Sequence, residues 1–460
     1  MYGWLVPRVV FPLGEGLGRG VWTEARRLGK LQWRSRGDLE RRELELLRLL
    51  VSHAAAHVPY YRDLFQRAGV EPEDLRALSD LSRFPITTKA DLRTRFPEGT
   101  CAGNLTERRR QQMMTSGSTG LPLAFYWDRS AAPLRRAAYL LSLEWAGAAI
   151  WDTRVVIASP AYFYNHVTPS PWVRRLAGRL VLGEHSVSLS ADELSTARFR
   201  ALVRDVSRRG RYFIRGYPVP VAGLAAQLEK EAGSLASYPK VVMTFAETLT
   251  PTNAANIHQA FRCHVVNYYS SWEVPQMAQT CPDYPALLHV NSDRVILRVV
   301  RADGSDASAG EPGRVVVTDL SNYVMPFINY FNGDHAVAGP PCPCGRGFPT
   351  LAGLEGRDTE AIRNPDGRQV NGVVLGQFLA FVAGVIPYIW EYQAVQIALD
   401  AVQLQVVPTA RFTPEFASKL RADLEAFLGP GITVTIEPVD RIPLEPSGKR
   451  LIIKPYLPAR

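Results

Sequence analysis

Thr115-Ser116-Gly117-Ser118-Thr119-Gly120 is a run of six small or hydroxylated residues, too polar to fill a core but well suited to wrap an anion. Gly117 and Gly120 let the backbone approach a phosphate closely, and the hydroxyls add donors to the main-chain N–H groups. Taken alone, such a cluster also reads as a solvated turn. It is not a Walker loop, because Leu121-Pro122 follows where Gly-Lys-Ser/Thr would close one. Its flanks are Arg110-Gln111-Gln112-Met113-Met114 and the β-prone Leu123-Ala124-Phe125-Tyr126-Trp127, which predicts a loop between two strands.

Working outward, Asp38 to His57 carries Leu44, Leu47 and Val51 at helical spacing and is expected to end near Pro59. Arg154–Ile157, Tyr212–Ile214, Val241–Thr244 and His264–Asn267 are short apolar runs separated by helical stretches, the pattern of an α/β sheet covered on both faces. From Asp293 the pattern changes. Arg294 to Val300 and Arg314 to Leu320 flank the turn Gly310-Glu311-Pro312-Gly313, which predicts an antiparallel β-subdomain. Gly353 to Thr359, short and charged, suits a linker. Beyond it, strands are expected at Tyr392–Leu399, Val402–Val407 and Ile432–Val439. A helix from Pro414 to Leu428, with Thr413 as its N-cap, is expected among them.

With 460 residues, the chain has room for a large domain and a smaller one. Its formal charge of +9 is dispersed over short Arg clusters such as Arg108-Arg109-Arg110, the mark of a solvated basic surface, and argues for no nucleic-acid partner. Pro7, Arg8 and Pro12 break the apolar N-terminus before a signal-peptide core could form, and no run is long enough to cross a bilayer. The expected location is the cytoplasm. Five cysteines are too sparse for a disulfide framework. Cys101 and Cys263 read as packed thiols. Cys281, His289, Cys342 and Cys344 instead offer three thiolates and an imidazole, the donors of a closed structural Zn²⁺ site; buried unrelated thiols are the plainer reading.

Four more segments follow the phosphate loop in order: Asn267-Tyr268-Tyr269-Ser270-Ser271-Trp272-Glu273, Tyr330-Phe331-Asn332-Gly333-Asp334, Gly356-Arg357-Asp358 and Pro446-Ser447-Gly448-Lys449. Two lie ahead of it: His57-Val58-Pro59-Tyr60-Tyr61-Arg62 and Phe84-Pro85-Ile86-Thr87-Thr88-Lys89. Over nearly the whole chain this succession resembles the phenylacetate-CoA ligase family and its capsular-polysaccharide-type relatives, within the adenylate-forming superfamily. Singly, Glu273, Asp334 or Lys449 reads as a surface charge; it is their collinearity that carries the resemblance.

The resemblance implies an α/β fold: a large N-terminal adenylate-forming domain over residues 1–354, a hinge at 355–360 and a small mobile α+β C-terminal domain at 361–460. It implies an AMP-forming ligase that joins a carboxylic acid to a thiol through an acyl-adenylate, with ATP, Mg²⁺ and coenzyme A as partners. Thr115, Ser116, Gly117, Ser118, Thr119 and Gly120 would hold phosphates, and Glu273 would bind Mg²⁺. Asn267, Tyr268, Tyr269, Ser270 and Ser271 would wall the adenine and acyl groups. Asp334 and Arg357 would reach the ribose, and Lys449 would bridge carboxylate and phosphate. Tyr217, Phe245 and Ala246 match segments that line the acid's tail, and Trp272, where a smaller residue is usual, is expected to narrow that pocket. Leu121, Ser270 and Phe331 also depart from the family pattern. Two alternatives stay open: transfer of the acyl group to an amine, a sugar hydroxyl or a carrier protein, and a nucleotide-binding regulatory protein without turnover.

Overall fold

The structure, a computed structural model, describes residues 20–115, 123–158, 186–190, 194–231, 234–357, 361–365, 369–385, 387–443 and 451–456. Ser116 to Leu121, Asp358 and Lys449 with its Pro446-Ser447-Gly448 lead lie outside the described residues. The described chain forms two compact units, one of residues 20–150 and 268–354 and the other of 151–158, 186–267 and 355–456.

The first unit begins with helices Val21–Leu31, Arg36–His57 and Pro59–Ala68. The second of these starts two residues earlier than its periodicity predicts, because Ser35 caps it by accepting from the Asp38 N–H. Pro59 then ends one helix and opens the next: it disfavours helical geometry at Val58, yet its missing N–H costs nothing in a first turn. Arg110–Met114 and Ala124–Asp128 pair antiparallel from Arg110↔Asp128 to Met114↔Ala124, as the flanks of the hydroxyl-rich run predict.

Antiparallel pairing continues from Val295–Val300 to Pro312–Asp319 and from there to Tyr330–Ala338, which is the expected β-subdomain. Two sequence segments gain a structural purpose here. Tyr61 Oη donates to the Pro326 carbonyl at 2.9 Å and accepts from the Ile328 N–H at 3.0 Å. The Thr87 N–H bonds the Asn329 carbonyl at 2.9 Å, and the Thr87 hydroxyl bonds that of Ile328 at 3.1 Å. The two motifs ahead of the loop therefore brace the approach to strand Tyr330–Ala338. Phe125, Phe327 and Tyr330 fill the core beneath, with ring centroids 5.9 and 5.1 Å apart.

One expectation changes. Gly353 to Arg357 are strand, the continuation of Thr350–Arg357, which lies between Tyr330–Ala338 and Leu288–Val290 and pairs at its start with His289 and Leu288.

The second unit carries parallel strands in the order Val241–Phe245, Tyr212–Gly216, Thr153–Ala158, Ser186–Ser190. Each residue of Val241–Phe245 is buried, as a strand covered on both faces requires. Gly216 is needed because a Cβ there would lie 2.6 Å from Val221 and 2.9 Å from the Ile157 carbonyl. A separate sheet orders Thr433–Pro438, Ala401–Pro408, Ile389–Ala398 and Ile453–Lys454. Helix Pro414–Leu428 buries Leu420, Leu424 and Leu428, and Thr413 caps it by accepting from the Phe416 N–H.

Candidate functional site

In the first unit the expected phosphate loop is pinned at its root. The Thr115 N–H bonds the Leu123 carbonyl at 3.0 Å, and the Leu123 N–H returns a 2.9 Å bond to Thr115 Oγ1. Both residues are buried, so the two ends are held at a fixed separation whatever residues 116–122 do.

Asp334 is presented by a break in strand register. Phe331 faces Val316 and His335 faces Arg314, so Asn332, Gly333 and Asp334 together oppose the single residue Val315. Such a bulge turns side chains out of the ladder. Gly333, at φ 88°, occupies the left-handed conformation that makes the excursion possible. Asp334 Oδ2 then accepts from Tyr269 Oη and from Asn332 Nδ2, both at 2.8 Å, while the Asp334 N–H bonds Asn332 Oδ1 at 3.1 Å. The carboxylate is thereby fixed in orientation.

Glu273 is 6% exposed, and its Oε1 accepts from Tyr330 Oη at 3.1 Å. A carboxylate withdrawn this far from water and met by a phenol is expensive unless a cation joins it, so its donor set fits a divalent ion. The turn before it is tied within itself. The Val274 N–H bonds Ser271 Oγ at 3.0 Å, and the Gln276 N–H bonds Ser270 Oγ at 3.2 Å. Trp272 packs half-buried against the core, and its carbonyl accepts from Trp127 Nε1 at 3.0 Å. Tyr268 is buried.

The sequence reading singled out Asp334, Tyr269 and Glu273, and the structure brings the first two together. It missed Asn332 and Tyr330 as partners. Both stand in the same motif as Asp334, and the Asn332-Gly333 pair was the available signal for a local turn.

Cys281, His289, Cys342 and Cys344 converge: their ligand atoms all lie within 4.8 Å of one another. Cys281 Sγ and Cys342 Sγ are 3.7 Å apart, and His289 Nε2 lies 3.2 Å from Cys344 Sγ. Zn–S bonds of about 2.3 Å in a tetrahedron require sulfurs roughly 3.7 Å apart. His289 Nδ1 is 3.2 Å from the Phe348 carbonyl, which suits an Nδ1–H tautomer and turns Nε2 toward the thiols. Burial, only partly opposed by that carbonyl, lowers the His289 pKa and favours the neutral, ligating imidazole. The four residues fit a closed metal site.

In the second unit, Tyr217 and Phe245 meet edge to face at 5.2 Å, and the Arg215 guanidinium lies 4.7 Å from the centre of the Phe245 ring. Ala246 is held at φ 67°, strained for a residue with a Cβ. Asn267 and Arg357 are half-buried in their strands. Cys101 and Cys263 are buried, and burial pushes the Cys101 thiol up to about 11 and that of Cys263 to about 12. No helix among the described residues is long and apolar enough to cross a membrane.

No family model matches the chain. It is 27% identical over 406 residues to the phenylacetate-coenzyme A ligase of Thermus thermophilus, covering 86% of this chain and 87% of that one. To the ligase of the same name from Escherichia coli it is 28% identical over 313 residues, or 67% and 69% of the two chains. Among solved structures, a 2-hydroxyisobutyryl-CoA ligase in its postadenylation state, in complex with an acyl-AMP, aligns with TM-score 0.75 at 20% identity over 92% and 91% of the two chains. An amide bond synthetase from Marinactinospora thermotolerans aligns with TM-score 0.51 at 17% identity over 74% and 67%. These last two likenesses speak for the fold. The ordered motifs and the ligase relatives agree in one likeness: over most of its length the chain is similar to phenylacetate-coenzyme A ligases.

Proposed function

We propose that the protein is an AMP-forming acid–thiol ligase. A carboxylate oxygen attacks the α-phosphorus of ATP and pyrophosphate leaves. A coenzyme A thiolate then attacks the acyl carbonyl and AMP leaves. The observation that carries this reading is the bulge that delivers Asp334 to Tyr269 and Asn332, an oriented carboxylate of the kind a ribose diol needs.

The first step brings two anions together, so its cost is electrostatic. Thr115 and the loop residues Ser116, Gly117, Ser118, Thr119 and Gly120 supply donors to the β- and γ-phosphates. Glu273 is the residue to hold Mg²⁺, which would neutralise phosphate charge. Lys449 bridges the carboxylate and the α-phosphate, and Arg357 reaches the ribose. Rotation of residues 361–460 about 355–360 would withdraw Lys449 and open a path for the thiol. Tyr217 and Phe245 line the acid's tail, with Trp272 limiting its width, which favours a planar aryl acid. Zn²⁺ at Cys281, His289, Cys342 and Cys344 is structural, and the enzyme works in the cytoplasm.

The test is ATP–pyrophosphate exchange over a panel of aryl and alkyl acids, followed by incubation of the activated acid with coenzyme A and with amines. Exchange that depends on one class of acid, with thioester as product, is the expected result. A panel without exchange would sink the proposal, and amide without thioester would replace the acceptor.

A further inference from the structure

The two motifs ahead of the phosphate loop do more than brace strand Tyr330–Ala338, because they also contribute to the lining of an open surface groove of about 550 Å³. That volume lies within the ordinary range for small-molecule sites. No residue lining it belongs to the nucleotide, acid or metal constellations described above.

Its polar lining gathers Tyr60, Arg67, Asp91 and Arg95. Tyr60 is 4% exposed as a residue, its hydroxyl is open to solvent, and Arg67, Asp91 and Arg95 around it are exposed. Asp91, Arg95 and Arg67 all act on it electrostatically; burial, followed by Asp91, pushes its pKa up to about 12. The Arg95 guanidinium lies 5.6 Å from the centre of the Tyr60 ring, with Asp63 3.5 Å away as a partly solvated counter-charge. Gly99 sets this arrangement: its carbonyl accepts from the Tyr60 N–H, and a Cβ in its place would lie 2.9 Å from that of Arg95. Arg67 is bonded only through Nε, to the Asp63 carbonyl at 3.2 Å, which leaves both terminal nitrogens available. Asp91 Oδ2 is taken by Thr88 at 2.7 and 2.9 Å, which leaves Oδ1 available. Leu64, Pro85 and Ile86 add apolar surface to the same lining.

Charges of both signs therefore line one groove together with apolar surface. A simple carboxylate would meet Asp91, and a simple amine would meet two guanidiniums. We propose that this groove binds a small zwitterion on an apolar body, the chemistry of a free apolar α-amino acid. Its carboxylate lies toward Arg67 and Arg95, its ammonium toward Asp91, its side chain against Leu64 and Ile86, and the Tyr60 phenol bonds the carboxylate. The site stands independently of the ligase reading, since it uses none of the same residues.

Calorimetric titration of the full-length protein with L-leucine and L-phenylalanine tests it, with phenylacetate and phenethylamine as single-charge probes. The expected result is saturable binding of an amino acid at one site per chain, weakened about tenfold or more in Arg67→Ala and several-fold in Tyr60→Phe. Binding should be unchanged in Lys449→Ala, which separates this site from the reaction centre. Both groove variants should keep the wild-type melting temperature. Three outcomes each overturn the proposal: no binding up to about 10 mM, binding indifferent to Arg67→Ala, or single-charge probes that bind this site as tightly as the zwitterion. A crystal soaked with 4-bromo-L-phenylalanine gives a second reading, with bromine expected against Leu64 and Ile86; bromine at other sites alone would overturn the assignment.

Discussion

Asp334 shows how little of a functional residue resides in its own side chain. Its orientation is owed to Tyr269 and Asn332, and its position to a bulge that Gly333 permits. Tyr269→Phe deletes one 2.8 Å donor and leaves the ring in place. Because hydrogen bonds to charged groups are worth about 1.5–3 kcal/mol, the KM for ATP in exchange should rise on the order of tenfold with little change in melting temperature. Lys449→Ala belongs to the same scale. Adenylate formation should be abolished, while thiolysis of a supplied acyl-adenylate proceeds; pyrophosphate release at the wild-type rate would contradict the bridging role. Asp334 could be proposed from the sequence because its motif stands in order with the others. Its partnership with Tyr269, 65 residues away, was not, since it follows from strand register and not from spacing.

Among the elements, the loop root and the cysteine loop depend on few contacts. Thr115→Val removes the acceptor of the Leu123 N–H and leaves that donor buried and unpaired. A loss of about 1–3 kcal/mol is expected by denaturant titration, together with weaker ATP binding. The cysteine loop reaches further than its ligands. Beside Cys344, Arg346 donates to Gln32 Oε1 at 2.9 Å and packs against Trp33 and Trp145, and Gly347 bonds the Gln32 carbonyl at 2.9 Å. Gln32 caps helix Val21–Leu31. Metal analysis should return one zinc per chain. Removal of that zinc by a chelator should expose Val21–Leu31 to protease before it unfolds the rest; unchanged cleavage would show that the loop holds its shape unaided. Most elements were legible because apolar period and caps such as Thr413 act locally. The strand through Gly353 was not, because the composition of Gly353 to Arg357 reads as linker and the strand it continues is set by remote neighbours, Tyr330–Ala338 and Leu288–Val290.

For the whole molecule, one contribution to the acid side of its stability profile comes from a half-buried histidine outside both the site and the metal loop. Burial lowers the His53 pKa below 6.5, against the raising effect of the Tyr323 carbonyl that its Nε2 bonds at 2.9 Å. His57 and Arg109 lower it further, and Asp128 opposes them. A depressed folded-state value means that the unfolded chain takes the proton first, so stability is present above about 6.5 and is lost as pH falls toward the folded pKa. His53→Gln should flatten the slope of melting temperature against pH between about 7 and 5, and an unaltered slope would assign the acid loss to other groups. At this scale the α/β class and the antiparallel subdomain were legible from alternation alone. The fold's division was less so, because its first unit draws on chain from both sides of residues 151–267 and no composition shift announces that return.

The paired bonds between Thr115 and Leu123 have a consequence for the span between them. They act as gateposts that hold Thr115 and Leu123 at one separation through bonds made by those two residues alone. A pair of reciprocal bonds closing on buried backbone sets the mouth of the span locally, so Thr115→Ser, which keeps the hydroxyl acceptor, should preserve that mouth where Thr115→Val does not.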